Sequence, residues 1–520
     1  MKNIISNIAK SLVFVLFFTA CNEDFLDLQP LDQEVSSNFY QTEDQAYQAL
    51  IAIYDALTYQ SSPGISWSPA PMVSDVLSDD AFAGGSDSND GFNWDQLSNF
   101  DIPSTNPIVH SMWIKNYIGI YRANLFLEII EDIDASDEFK TRTIAEAKFM
   151  RAWFYFELVS YFENIPLLTQ TIKSTSEYKQ EQNDPKEVYD QILVDLTEAA
   201  EDLPESVPSA QAGRVTKWAA KGLMGRVFLF YNGVYGGNLD ANGTTVDQTF
   251  VLNQLEDIIN NSGLDLFEDY ETNFSLAGEF GVESVFEISY GDTPPWWDWD
   301  YARGGNGNLA AQMQGPRVTG SDNWDRGWSF APVSHELALD LEGDPRFEHT
   351  ILTQEVIESD GSLSIGYQHT GYFSNKYSSD EEHWGSDGQF ELNRTANHRV
   401  IRFSDVLLMA AELNSSSKQE YLDRVRARVG LDPVNATIEN ILRERRLELS
   451  LEGLRYFDVL RQGLAVAEQE FTDQGIRGPN YEGDQAIFDV TFNSATKGFL
   501  PIPQTEIDLS EGAFQQNDGY

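Results

Sequence analysis

The run Ala145-Glu146-Ala147-Lys148-Phe149-Met150-Arg151-Ala152-Trp153-Phe154-Tyr155-Phe156-Glu157-Leu158-Val159 decides how the rest of the chain is read. Ala145, Phe149, Ala152, Phe156 and Val159 recur at helical spacing on one face, while Met150, Phe154 and Leu158 line another. A helix that is apolar on most sides belongs deep inside a stack of other helices. The pattern predicts a helix over 137–161, and the segment before it, 108–131, reads as its antiparallel partner. Outward from there, 185–202 and 215–231 form a second pair. Helix pairs in series, each covering its neighbour's apolar face, point to tetratricopeptide-like repeats.

Similar patterns occur near both ends of the chain. Thr42 as N-cap with Gln45 three residues on fits a capping box, and Ala46, Ala49, Leu50, Ile53 and Leu57 follow at helical spacing to Tyr59. Late helices are predicted over 400–414, 419–429, 437–451 and 454–462. Two stretches break the pattern, 60–106 and 284–399, both rich in Ser, Gly, Asp and Asn, the second opening with an alternating strand over 284–290. The expected architecture is mainly α: a helical-repeat scaffold over about 41–60, 107–262 and 400–463, with long loop-rich insertions and a few short strands. Irregular regions this long are either functional or disordered.

Composition narrows the function. With 520 residues, 41% hydrophobic and 12% aromatic, the chain can bury a large core, which excludes a disordered chain or a coiled-coil rod. Acids number 83 against 34 Lys and Arg, for a formal charge of -49. Nucleic acid is thereby a poor partner, since duplex binding needs clustered cations. Cys21 is the single cysteine, so no internal disulfide is available.

Residues 1–20 carry Lys2, Lys10, the apolar run Leu12–Phe18 and no acid, as a secretory signal does. That run is too short to cross a bilayer. Cys21 follows Phe18-Thr19-Ala20, which resembles a bacterial lipobox, where the thiol is acylated. Residues 21–40 then form a lipidated tether to a single body over 41–520. Cys21-Asn22-Glu23-Asp24 also resembles the acidic export tag of Bacteroidetes lipoproteins. It implies a surface-exposed outer-membrane lipoprotein that meets the membrane only through its lipid.

Five separated segments together resemble the SusD/RagB family of outer-membrane glycan-binding lipoproteins. They are Ala147–Phe156 continuing to Asn164-Ile165-Pro166-Leu167, then Arg402–Glu412, Arg443–Leu449, Glu452–Asp458, and the ending Leu500-Pro501-Ile502-Pro503 with Gln516–Tyr520. The resemblance implies a tetratricopeptide-like scaffold with an irregular, sugar-binding face. It also implies a partner, a SusC-like TonB-dependent transporter to which captured polysaccharide or oligosaccharide is delivered, with no cofactor and no catalysis. The rival readings are an adhesive or structural surface lipoprotein and a glycoside hydrolase. Hydrolysis needs a carboxylate pair, and among 83 acids a plausible pair carries no weight.

Sugar binding in water uses flat aromatic faces, with polar groups fixing hydroxyls. Trp113, Trp153 and Trp218 sit in helical patterns and read as core. Trp67, Trp94, Trp296, Trp297, Trp299, Trp324, Trp328 and Trp384 fall in loop-like sequence. The densest candidate is Trp296-Trp297-Asp298-Trp299 with Tyr301, and the second is Asp80 through Asn93-Trp94. Asp80, Asn93, Asp298 and Arg303 are the expected polar partners, for a neutral glycan given the charge. On this reading, replacing Trp94 or Trp297 by alanine weakens glycan retention with little loss of stability.

Three further patterns have structural readings. Asn238, Asp240 and Asn242 with Gly243 match the opening of a calcium loop, but Thr249 stands where a bidentate Glu is expected, and a plain Asn/Gly turn is the alternative. Asp344-Pro345-Arg346 predicts a structural ion pair, and Arg445 with Glu448, three apart on one helix, predicts a local one. No HExxH, CxxC, Walker A or GxSxG pattern occurs.

Overall fold

A computed structural model describes residues 40–60, 67–174, 177–293, 306–385, 390–472 and 490–520. The main helices are α1 (Glu43–Asp55), α2 (Ala70–Val76), α3 (Phe92–Ser98), α4 (Pro107–Ile129), α5 (Asp137–Phe162), α6 (Pro185–Asp202), α7 (Lys217–Val234) and α8 (Gln248–Asn261). The scaffold continues with α9 (Phe403–Glu412), α10 (Lys418–Arg428), α11 (Ile438–Leu449) and α12 (Arg455–Leu460), and the strands that bear on it are β1 (Leu239–Ala241), β2 (Thr244–Val246), β3 (Ser284–Ile288) and β4 (His398–Arg402). Helices α4 to α8 pack each against the next, and α9 then packs on α8, α10 and α11. Among the described residues no helix is long and apolar enough to cross a membrane.

The run that opened the sequence reading is the centre of this stack. From Phe149 to Tyr155 every side chain of α5 is buried. At Gly119 of α4 a Cβ would lie 2.3 Å from the Phe154 ring, so glycine is what lets α4 and α5 approach so closely. Arg151 is the polar pin of the stack. Its guanidinium grips Asp195 of α6 with two hydrogen bonds of 2.7 and 2.8 Å, and gives a third, of 2.9 Å, to Asn124 of α4. The chain end closes on the same helix, because Leu500 N–H donates to Tyr161 O and Asn517 Nδ2 donates to Phe162 O.

Local signals set the helix boundaries. Thr42 Oγ1 accepts from Gln45 N–H, and the Gln45 side chain reaches back to Gln41 N–H, one residue earlier than the capping box requires. Asp184 caps α6 ahead of Pro185, so that helix begins and ends where predicted. The helix predicted from Val400 is corrected: His398–Arg402 is a strand, β4, and α9 starts only at Phe403. All five residues of β4 are buried, and they pair antiparallel with β3 (Ser284–Ile288). A fully buried strand has no alternation to separate it from a buried helix by periodicity.

Charged residues lock the late helices. Arg402, 1% exposed, pairs with Glu283, Glu448 and Glu452 at 2.7–2.8 Å. Arg346 holds Asp344 at 2.8 Å as expected, and also Glu444 and Glu448. The local Arg445–Glu448 pair is corrected. Arg445 reaches Asp405 and Asp458, while Glu448 serves Arg346, Arg402 and Arg428 from other segments. Burial alone would raise the Asp405 carboxyl, but Arg226 and Arg445 hold it at about 2.

Candidate functional site

Three stretches of the loop-rich region meet along one floor. The Gln60 side chain ties them, donating to Gly307 O at 3.0 Å and accepting from Ala310 N–H at 2.9 Å. Asn308 N–H donates to Arg394 O, and Asn308 Nδ2 to Ala396 O. Arg394 is fully buried, with Nε and Nη2 both on Gln312 Oε1 and Nη2 also 3.3 Å from Asp325 Oδ2. Burial pulls its pKa below the ordinary arginine value, with Asp325 opposing that shift. Gln312 in turn donates to Arg326 O. The short Leu309–Gln314 helix that carries Gln312 is capped by Asn308 Oδ1 and buried along its length.

Trp328 stands on this floor. Its N–H donates to Gln312 O and its Nε1 donates to Glu391 Oε1 at 3.4 Å, while the half-buried ring packs on the main core. Trp67 is half-buried against the same core. Next to it, Ser68 N–H donates to Gln60 O and Ser68 Oγ donates to Ser111. Trp324 is half-buried on a separate cluster of Val318, Leu352, Ile357 and Phe373. Its loop is zipped to a second one, since Asp325 N–H donates to Ser379 O and Glu381 N–H to Asn323 O. That second loop carries Trp384, 37% exposed, whose Nε1 donates to Ser379 O. Thus Trp324, Trp328 and Trp384 lie on loops joined by backbone hydrogen bonds, each with one side pinned and part of the indole accessible.

The second expected cluster is corrected. Trp94 is 4% exposed, on the inner side of α3, with its ring 6.2 Å from Phe330. It offers no face for a sugar, and its neighbour Phe92, 58% exposed, is the outward aromatic of that helix. Asp80 is fully buried, 3.2 Å from Arg446. Desolvation raises its carboxyl to about 6, although Arg446 opposes the shift. Asn93 is half-buried, and its carbonyl receives Asn106 Nδ2. Asp80 therefore serves the scaffold. Trp296, Trp297, Asp298, Trp299, Tyr301 and Arg303 lie outside the described residues, as does Cys21.

The calcium pattern resolves as a turn. Leu239–Ala241 and Thr244–Val246 form a hairpin in which Asn242 and Gly243 both have positive φ, 51° and 85°. Asp240 Oδ1 accepts from Gly243 N–H, and Asn242 Nδ2 reaches Glu198. This is the Asn-Gly hairpin turn, in which Asp240 closes the loop. Elsewhere among the described residues, Asp380, Glu382 and His383 bring ligand atoms within 4.8 Å of one another. All three are engaged already: His383 Nδ1 lies 2.7 Å from Asp380, and Glu382 accepts from Leu276 N–H.

Comparison with known proteins adds to this geometry. A family model described as SusD family matches residues 295–520, and one described as starch-binding associating with outer membrane matches residues 24–229. A solved laminarin binding SusD-like protein is 32% identical, with a TM-score of 0.81 over 92% of this chain and 100% of its own. The chain belongs to the SusD family. Surface glycan-binding protein A from Bacteroides thetaiotaomicron, solved in complex with laminarihexaose, is 27% identical, with a TM-score of 0.79 over 92% of this chain and 100% of its own. A SusD-like protein of Bacteroides ovatus is 26% identical over 468 residues, 86% of this chain and 80% of its own. These SusD relatives of solved structure are named as binding proteins, and the family is described as associated with the outer membrane.

The polar groups that organise the floor, Gln60, Gln312, Arg394 and Glu391, escaped the sequence reading. Each acts across tens to hundreds of residues of separation, and no local pattern marks them.

Proposed function

We propose that this SusD-family protein captures a neutral glucan of the laminarin type on its loop-rich face and delivers it, uncleaved, to a SusC-like TonB-dependent transporter. It is held at the outer face of the outer membrane by acyl chains on Cys21. The observation that carries the reading is the likeness, over nearly the whole chain, to a laminarin binding SusD-like protein. The residue chemistry supports it. Half-buried indoles at Trp67, Trp324 and Trp328, and the more exposed Trp384, offer apolar area for sugar C–H faces at little entropic cost. Trp296, Trp297, Trp299 and Tyr301, with Asp298 and Arg303, extend this set on the sequence reading. Binding without hydrolysis fits two carboxylates of this face, since Asp325 is held by Arg394 and Glu391 receives the Trp328 Nε1–H.

The test is incubation of the purified protein with immobilised laminarin, starch and a uronate polymer. Retention on a neutral glucan with no new reducing ends is the expected result. Cleavage of the chain supports the hydrolase, and failure to retain any glycan supports an adhesive role.

A further inference from the structure

A cavity of about 100 Å3 lies inside the scaffold where α4, α5, α7, β3 and β4 converge. Lys115 of α4 and Glu157 of α5 both line it. Lys115 is 5% exposed, and its Nζ lies 3.6 Å from Glu157 Oε2, beyond hydrogen-bond length. No hydrogen bond joins either charged group to another of the described residues. His398 of β4 also lines the space, 9% exposed, with no partner on Nε2. Desolvation lowers its pKa to about 4, so near neutral pH it is an uncharged imidazole. Buried polar groups left unpaired are costly, and the great majority find a partner. His398 Nε2 is such a group, and the Lys115–Glu157 ion pair, 3.6 Å apart, lines the same space, so together they mark a place where something polar belongs.

The chemistry of the occupant follows from the pair. An anion would meet the Glu157 carboxylate and a cation the Lys115 ammonium. A hydroxyl suits both, accepting from Nζ while donating to Oε2, and His398, on the wall of the same cavity, offers a partner to a second hydroxyl. The Trp153 and Tyr290 rings supply apolar walls for the carbons between. The volume equals that of about three waters, the size of a three-carbon polyol or of the diol edge of a sugar ring. Gln60 joins the cavity wall to the floor of the glycan-facing loops.

We propose that the Lys115–Glu157 cavity binds the vicinal hydroxyls of a neutral polyol, presented either free or as the end ring of an oligosaccharide. The second source rests on the glycan-capture reading above; the first does not.

The experiment uses the full protein with Lys115→Met and Glu157→Gln, probed with glycerol by saturation-transfer NMR and with laminarihexaose by calorimetry. Weakening of glycerol binding by at least tenfold in both variants establishes the free polyol. A tenfold loss of laminarihexaose affinity in both, with unchanged melting temperatures, establishes the chain end. If wild type binds glycerol through these residues but no laminarihexaose, the cavity stands and the capture reading falls. Should both probes bind both variants as they bind wild type, the cavity holds water only and the proposal is overturned. A crystal of the unmodified protein grown with glycerol gives a check that does not depend on the variants folding. Polyol density between Nζ and Oε2 supports the site, and separate water peaks there overturn it.

Discussion

The late helical scaffold and the loop-rich face use opposite materials. Around α9 to α12 the burden falls on charge: Arg346, Arg402 and Arg445 are nearly solvent-free and each is ringed by two or three carboxylates. On the face, neutral amides and one buried arginine hold loops whose indoles stay partly open. The contrast separates two jobs. Buried ion networks fix register between distant segments but cost desolvation, so every member must be paired. On the proposed function the loop-rich face is a sugar platform, which needs apolar area left in water and fixed in place, and the hydrogen bonds behind the rings fit that need.

Breaking a network member tests the first half of the contrast most severely. Arg402→Ala takes one cation from each of Glu283, Glu448 and Glu452, leaving Glu283 to Arg428, Glu448 to Arg346 and Arg428, and Glu452 to Lys376, and is expected to cost about 3–5 kcal/mol. Denaturant unfolding measures this, and a loss under 1 kcal/mol would show the network to be dispensable.

Trp94 and Trp328 sharpen the comparison, because the sequence treats them alike. Trp94→Ala removes a core indole and is expected to cost about 3–5 kcal/mol, with glycan retention per folded molecule unchanged. This reverses the expectation that Trp94 loss spares stability. Differential scanning calorimetry alongside a retention assay separates the two effects, and reduced retention with a wild-type melting temperature would return Trp94 to the binding face.

A smaller effect distinguishes the buried acids. Folding raises the Asp80 carboxyl from 3.8 to about 6, so across that window the folded state keeps a proton the unfolded chain has lost. The stability contributed by this group therefore falls as pH rises from 4 to 6. Asp80→Asn removes that dependence, and the variant should gain on wild type by on the order of 1 to 2 kcal/mol over the window. Asp405 behaves oppositely. Held at about 2, it contributes stability above pH 4 that is lost as pH falls toward 2. Unfolding curves at pH 4, 5 and 6 test the Asp80 sign, and a constant gap between variant and wild type contradicts it.

The smallest expected effect is none. Millimolar calcium should leave the melting temperature of wild type and of Asp240→Asn alike, since Asp240 closes a hairpin turn. A calcium-dependent rise lost in the variant would reinstate a cation loop.

Legibility in the sequence follows the same division. The stack around α5 was readable because Phe149, Met150 and Phe154 recur at the period that burial demands, and Asp184-Pro185 marks the start of α6. Strand β4 was not, because five buried residues in a row carry no period. Arg445 and Glu448 showed that ions belong in the scaffold, yet helical spacing named the wrong partners. Those partners, Asp405, Asp458, Arg402 and Arg428, come from other elements. On the face, composition singled out the loop tryptophans but could not divide them. Whether an indole in a loop turns inward, as at Trp94, or stays half open, as at Trp328, depends on Phe330 and Glu391, hundreds and tens of residues away.

On the proposed function, the pinned, half-open indoles of the loop-rich face hold glucan. Titration calorimetry of laminarihexaose into wild type and Trp328→Ala tests it most directly. Measurable binding to wild type and at least tenfold weaker binding to the variant, with the fold intact, is the expected result. Equal affinity in the two proteins, or no heat with either, contradicts it.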